Sequence, residues 1–162
     1  KPMHPRAAIR KAAAAALASV GATVYQNRVE PFISTSWQED LPAINVYTLD
    51  ESARVFADAG NRTYERVAQL AVEITVAANE STDDVLDNLA ELVENAITQD
   101  DSLAGTCSQL VLVSSRMGIK SEGEHVTGAC LILWEATYYD SLPRTSNLPN
   151  LSGITTKVQP HD

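Results

Sequence analysis

The sequence predicts an α+β domain: a single, mostly antiparallel β-sheet, with an N-terminal helix and a central amphipathic helix packed on one face. Three observations predict it. Residues 64–78, YERVAQLAVEITVAA, alternate with period two, as a strand with one buried and one wetter face does. Residues 81–97, STDDVLDNLAELVENAI, place apolar side chains at i, i+3, i+4 and i+7. Two further apolar runs, 107–116 and 125–138, are separated by the turn-forming stretch GIKSEGE (118–124), which predicts an antiparallel pair.

The elements follow in order. Residues 5–20, PRAAIRKAAAAALASV, predict the first helix. Pro5 suits the first helical position and alanine is the best helix former. Ile9, Ala12, Ala13, Ala16, Leu17 and Val20 share a face, and Gly21 reads as a C-terminal stop. The alanines make the helix thin, and its start (Lys1, Arg6, Arg10, Lys11) is the most basic part of the chain.

Residues 22–33 suggest a strand ending in a break at Pro31, and residues 34–41 read as loop. Residues 42–49, PAINVYTL, predict a strand that Pro42 opens, where no ladder hydrogen bond is lost. Residues 50–63, DESARVFADAGNRT, carry no sustained period and contain the turn signal Gly60-Asn61. They read as a long loop between antiparallel strands, tipped by Val55 and Phe56. The strand at 64–78 is long and, at a sheet edge, would invite pairing with another subunit.

In the central helix, Val85, Leu86, Leu89, Leu92, Val93, Ala96 and Ile97 cover an arc of roughly 140°. Ser81 and Asp84 resemble a capping box, and Asp83 and Asp84 suit the positive end of the helix dipole. Asp87, Glu91 and Glu94 form an outward acidic row. Residues 80–101 hold eight carboxylates and no lysine or arginine, against a formal net charge of −9 for the whole chain. The strand at 125–138 is apolar on both faces at its centre, which predicts an interior position in the sheet. Residues 1–142 read as one domain. Residues 143–162, rich in Pro, Ser, Asn and Thr, read as a flexible extension.

With 162 residues the chain suits one domain with a real core. Its acidity argues against a nucleic-acid-binding surface, since phosphate binding needs clustered Lys and Arg, but it suits a wall past which DNA slides. No apolar run approaches the roughly 20 residues that a membrane-spanning helix needs, so no membrane partner is expected. Cys107 and Cys130 read as free, buried thiols of a reducing compartment. His4, His125 and His161 are scattered, and no metal-ligand spacing, nucleophile elbow or phosphate loop occurs. Carboxylates on a solvated helix face lack the desolvated pocket that acid–base catalysis needs. No enzymatic activity and no cofactor are expected.

The order of motifs carries a resemblance. It runs from the Ala-rich helix to DLPAINVYT (40–48) and YERVAQLAVEITVAA (64–78). STDDVLDNLAELVENAI (81–97), QDDSLAGTCSQLVLVSS (99–115) and HVTGACLILWEATYYD (125–140) complete it. Over residues 6–140 the chain resembles the tail terminator (minor tail protein U-like) family of long-tailed bacteriophages, from which the extension 143–162 departs. The resemblance implies a hexameric ring in the virion, assembled in the host cytoplasm. Such a ring caps the head-proximal end of the tail tube, stops its growth and offers a docking face to head-completion proteins. DNA passes its lumen without specific binding. Two other readings stay open on residues alone: a head–tail connector, and a small α+β enzyme or ligand-binding module.

Within that frame the candidate contact residues are Arg54, Val55, Phe56, Arg62 and Arg66 on the excursion, and Asp87, Glu91 and Glu94 on the acidic helix. The expected chemistry is an acid-to-base contact between neighbouring subunits. The basic partners are the N-terminal group, Arg28, Arg54, Arg62, Arg66 and Arg116.

Overall fold

A computed structural model describes residues 2–26, 41–122 and 125–143. The expectations for Arg28, the Pro31 break, the loop at 34–40 and the extension beyond Pro143 lie outside the described residues. The elements are α1 (Pro5–Ala16), β1 (Thr23–Tyr25), β2 (Ala43–Ala59), β3 (Asn61–Ala77), α2 (Thr82–Thr98), β4 (Gln109–Glu122) and β5 (His125–Leu142). They form one five-stranded sheet in the order β1-β2-β3-β5-β4. Only the β1–β2 pair is parallel; the others are antiparallel. The fold is the α+β class that the sequence predicts.

Both helices cover the same face. Ile44 and Val46 of β2, Leu70, Val72 and Ile74 of β3, and Cys130, Ile132 and Trp134 of β5 point into it. α1 packs over β2 and β3, and α2 over β3, β5 and β4. From α1, Ile9, Ala13, Leu17 and Val20 enter this core, as their spacing predicts. The helix itself closes at Ala16, earlier than Gly21 suggests, and a turn carries the chain on to Val20. His4 caps its start by accepting from Arg6 N at 3.2 Å on Nδ1. From α2, Leu86, Leu89, Val93 and Ile97 are buried. Val85 and Leu92 are not, being 37% and 49% exposed, because they lie on the flank of the stripe rather than its centre.

The cap of α2 differs from the predicted box. Ser81 makes no side-chain cap bond. Instead Asn79 Oδ1 accepts from Ser81 N at 2.9 Å, and Asn79 N donates to Thr82 Oγ1 at 2.7 Å. Asn79 forms the local turn that the Ser81 hydroxyl would otherwise supply. Gly128 of β5 lies under this first turn. A Cβ there would meet Thr82 Cγ2 at 2.3 Å, so the helix seats on β5 only because that position has no side chain.

The loop after α2 holds Leu103, Ala104 and Gly105 at φ 45°, 56° and 75°. A left-handed non-glycine residue costs about 1–2 kcal/mol. The Asp100 carboxylate offsets this by accepting from Ser102 N at 2.9 Å and Ala104 N at 2.8 Å, while Leu103 is buried as an anchor.

Two strand expectations change. Residues 50–59 and 61–63 are not loop: β2 and β3 run as one hairpin to Gly60, each 17 residues long. The far half of this arm extends beyond the helices, so both its faces meet water and no period-two signal survives in the sequence. Val55 and Phe56 therefore lie along the arm, not at a loop tip. The long strand at 64–78 takes the centre of the sheet, so the subunit pairing that an edge position would invite does not arise there. And β4 continues through residues 118–122, which the sequence marks as turn. β5 holds the interior place predicted for it.

Candidate functional site

Two regions of the surface stand out: the arm and the β4 edge. The arm is built from the distal halves of β2 and β3 with the end of β5 beside them. Its root is a charged cluster on the helix face. Arg66 Nη1 donates to Glu51 Oε1 at 2.8 Å, and Tyr138 donates to Glu51 Oε2 at 2.6 Å. Arg66 Nε lies 3.3 Å from Asp140, and Arg6 of α1 lies 3.7 Å from Glu51. The Glu51 side chain is 9% exposed. Burial pushes its carboxyl up, but hydrogen bonds from Tyr138 and Arg66 and the charges of Arg6 and Arg66 outweigh this, and the net direction is down. Burial, then the contact with Glu51, raises the Tyr138 phenol.

On the opposite face Arg54 donates to Glu65 at 2.7 Å through Nε, and Tyr139 donates to the other Glu65 oxygen at 3.1 Å. Phe56 meets Tyr139 edge to face, with ring centroids 4.8 Å apart. Arg62 is held by Asp58 at 2.9 Å. Arg54, Arg62 and Arg66 are thus each paired within the chain. The structure brings together Arg54 and Phe56, through Glu65 and Tyr139, and sets Arg66 on the other face. Val55 and Phe56 remain 52% and 62% exposed.

Asp87, Glu91 and Glu94 sit on α2, away from the arm. Asp87 and Glu91 are exposed and Glu94 is half-buried. The arm and the acidic row are therefore two separate surfaces, not one site.

The sequence reading misses the second surface. β4 has β5 on one side and, among the described residues, no strand on the other. Val111, Leu112, Val113, Met117 and Ile119 are all between 41% and 61% exposed. An open edge with apolar side chains on both faces is an invitation to pair, which monomeric proteins blunt with charge, proline or bulges. β4 has one register shift, between Leu112 and Ser114, and its Arg116 and Lys120 lie on the face away from the helices. Lys120 is drawn inward to Glu73 of β3. The signal was present as the run LVLV (110–113), but an apolar run on both faces equally describes a central strand.

Catalytic chemistry is sparse. Among the described residues no group of three or more His, Cys, Asp or Glu side chains is placed to hold a metal ion. Cys107 and Cys130 are free and buried, and burial raises both thiols, which keeps them protonated. A groove of about 500 Å³ between α1 and α2 is lined mainly by small and apolar residues such as Ala12, Ala16, Leu92, Ala96 and Leu103, with Ser19, Asn95, Gln99 and Asp100 among them. No described helix is long and apolar enough to cross a membrane.

A family model described as phage minor tail protein U matches residues 4–116, from α1 into β4. The chain belongs to the phage minor tail protein U family. It is therefore a structural protein of a phage tail, and this family points to a non-enzymatic role. No curated protein matches the chain. The matched span contains the β2–β3 hairpin of the arm, the acidic row, and Val111, Leu112 and Val113 of the β4 edge.

Proposed function

We propose that the protein forms a hexameric ring at the head-proximal end of the phage tail tube. The ring ends tube polymerisation and presents a face to the head-completion proteins. The observation that carries this reading is the open, apolar β4 edge in a chain of a phage tail family: such an edge is a liability in a monomer and an asset in a protein that assembles.

In this reading the arm contacts the tail tube. Cross-strand pairing and the bonds of Arg54, Arg62 and Arg66 hold the arm in place, so Val55 and Phe56 are presented at little ordering cost. Phe56, set against Tyr139, has the character of an interface anchor. The net charge of −9 favours a lumen that DNA crosses without sticking. The assembled ring is a virion component with no cofactor.

Electron microscopy of the purified protein, alone and with tail tubes, tests the reading. Rings of tube width, seated on tube ends, are expected. A protein that stays monomeric under both conditions would sink it.

A further inference from the structure

The two helices carry opposite charge. α1 brings Arg6, Arg10 and Lys11 and no acid. It packs over β2 and β3, toward one side of the sheet. Arg6 is engaged by Glu51, but among the described residues no carboxylate pairs with Arg10 or Lys11, and Arg10 Nε is buried without a hydrogen-bond partner.

α2 brings Asp83, Asp84, Asp87, Glu91 and Glu94 and no base. It packs toward the other side, over β5 and β4. Asp87 and Glu94 lie on its β4 flank: Leu92 and Ala96 line the groove toward α1, and at about 100° per residue Asp87 and Glu94 fall on the other side of the buried stripe of Leu86, Val93 and Ile97. Beneath this flank, on the same face of β4, Leu112, Met117 and Ile119 are exposed.

Which copy fits this edge follows from charge. A second β4 edge would set one acidic flank against another, and like charges brought together repel. The α1-bearing side of a second copy instead sets Arg10 and Lys11 opposite Asp87 and Glu94. We infer that the β4 edge and acidic α2 flank of one copy dock against the α1-bearing side of the next, head to tail. This rests on the ring reading and names the surfaces that build it. A contact that uses different surfaces on each copy leaves one of each free, so it propagates until a ring closes.

The test is a charge swap. The variants Asp87→Lys/Glu94→Lys and Arg10→Glu/Lys11→Glu are prepared separately, with far-UV circular dichroism and denaturation to show that each folds. Lys11→Glu alone, at an exposed position, serves where Arg10→Glu unfolds the chain. Sedimentation velocity with and without tail tubes then reads assembly. Each variant alone is expected to self-associate at least about tenfold more weakly than the wild type, and an equimolar mixture to recover assembly, because every junction then meets opposite charge. Wild-type rings with unaffected variants, or a mixture of folded variants that does not recover, overturn this interface while leaving the ring intact. A wild type that never assembles overturns both.

Discussion

Tyr138 of β5 donates its hydroxyl to Glu51 of β2 at 2.6 Å, with β3 lying between the two strands. Glu51 also takes Arg66 from β3 and Arg6 from α1, so one carboxylate ties three strands and a helix at the root of the arm. A buried carboxylate that loses a donor leaves unsatisfied lone pairs, at about 1–3 kcal/mol. Tyr138→Phe should destabilise by that amount in urea unfolding. Glu51→Gln should cost more, because Arg66 loses a charge partner as well.

Acid should loosen the fold in a defined order of sign. The carboxyls of Glu51, Glu65 and Asp100 are all held below their ordinary values. For Glu65 the main cause is the Arg54 hydrogen bond; for Asp100 it is the Ser102 hydroxyl, then the backbone N–H groups of Ala104 and Ser102. A depressed carboxyl stabilises the fold fully above its unfolded value, about 4, and the gain is lost as pH falls through the lower folded value. Thermal unfolding should therefore show a Tm that is flat near neutral pH and falls below about pH 4. Glu51→Gln should flatten that fall.

The seat of α2 on β5 is tight at one point. Gly128→Ala places a methyl 2.3 Å from Thr82 Cγ2 and 3.2 Å from Leu86 Cδ1. Thr82 is buried and its hydroxyl is committed to Asn79 O, so the helix end must lift. Overpacking of this kind costs about 1–3 kcal/mol, measurable as a lower denaturation midpoint.

The burial map separates two residues that helical spacing groups together. Ile97 is fully buried, and Ile97→Ala should cost about 2–5 kcal/mol. Leu92 is half exposed beside the α1–α2 groove, and Leu92→Ala should cost under about 1 kcal/mol. Equal losses in parallel chemical denaturations would contradict the helix orientation described above.

The arm is predicted to matter for binding rather than folding. Phe56→Ala removes an exposed ring that meets Tyr139 edge to face. Its unfolding midpoint should stay close to wild type while co-sedimentation with tail tubes falls. A change in stability with unchanged tube binding would assign Phe56 to the fold instead.

Periodicity makes most of the fold legible. The two helices, the core face of β3 and the interior place of β5 follow from apolar spacing alone. It fails where burial is not one-sided. The distal arm is wet on both faces, so its strands look like loop. The β4 edge is apolar on both faces, so it looks like a buried strand. Edge or centre is decided by strand order, a long-range property that no local window carries. The candidate residues follow the same divide: Asp87, Glu91 and Glu94 stand out as unbalanced charge, while the internal pairing of Arg54, Arg62 and Arg66 depends on which strands adjoin.

The most direct test of the terminating role is the length of tails assembled in the absence of this protein, measured by electron microscopy of infected-cell lysates. Overlong, variable tubes beside tailless heads are predicted, with normal length restored when the protein is supplied. Tails of normal length that fail only to join heads would contradict termination and assign the ring to the head–tail connection.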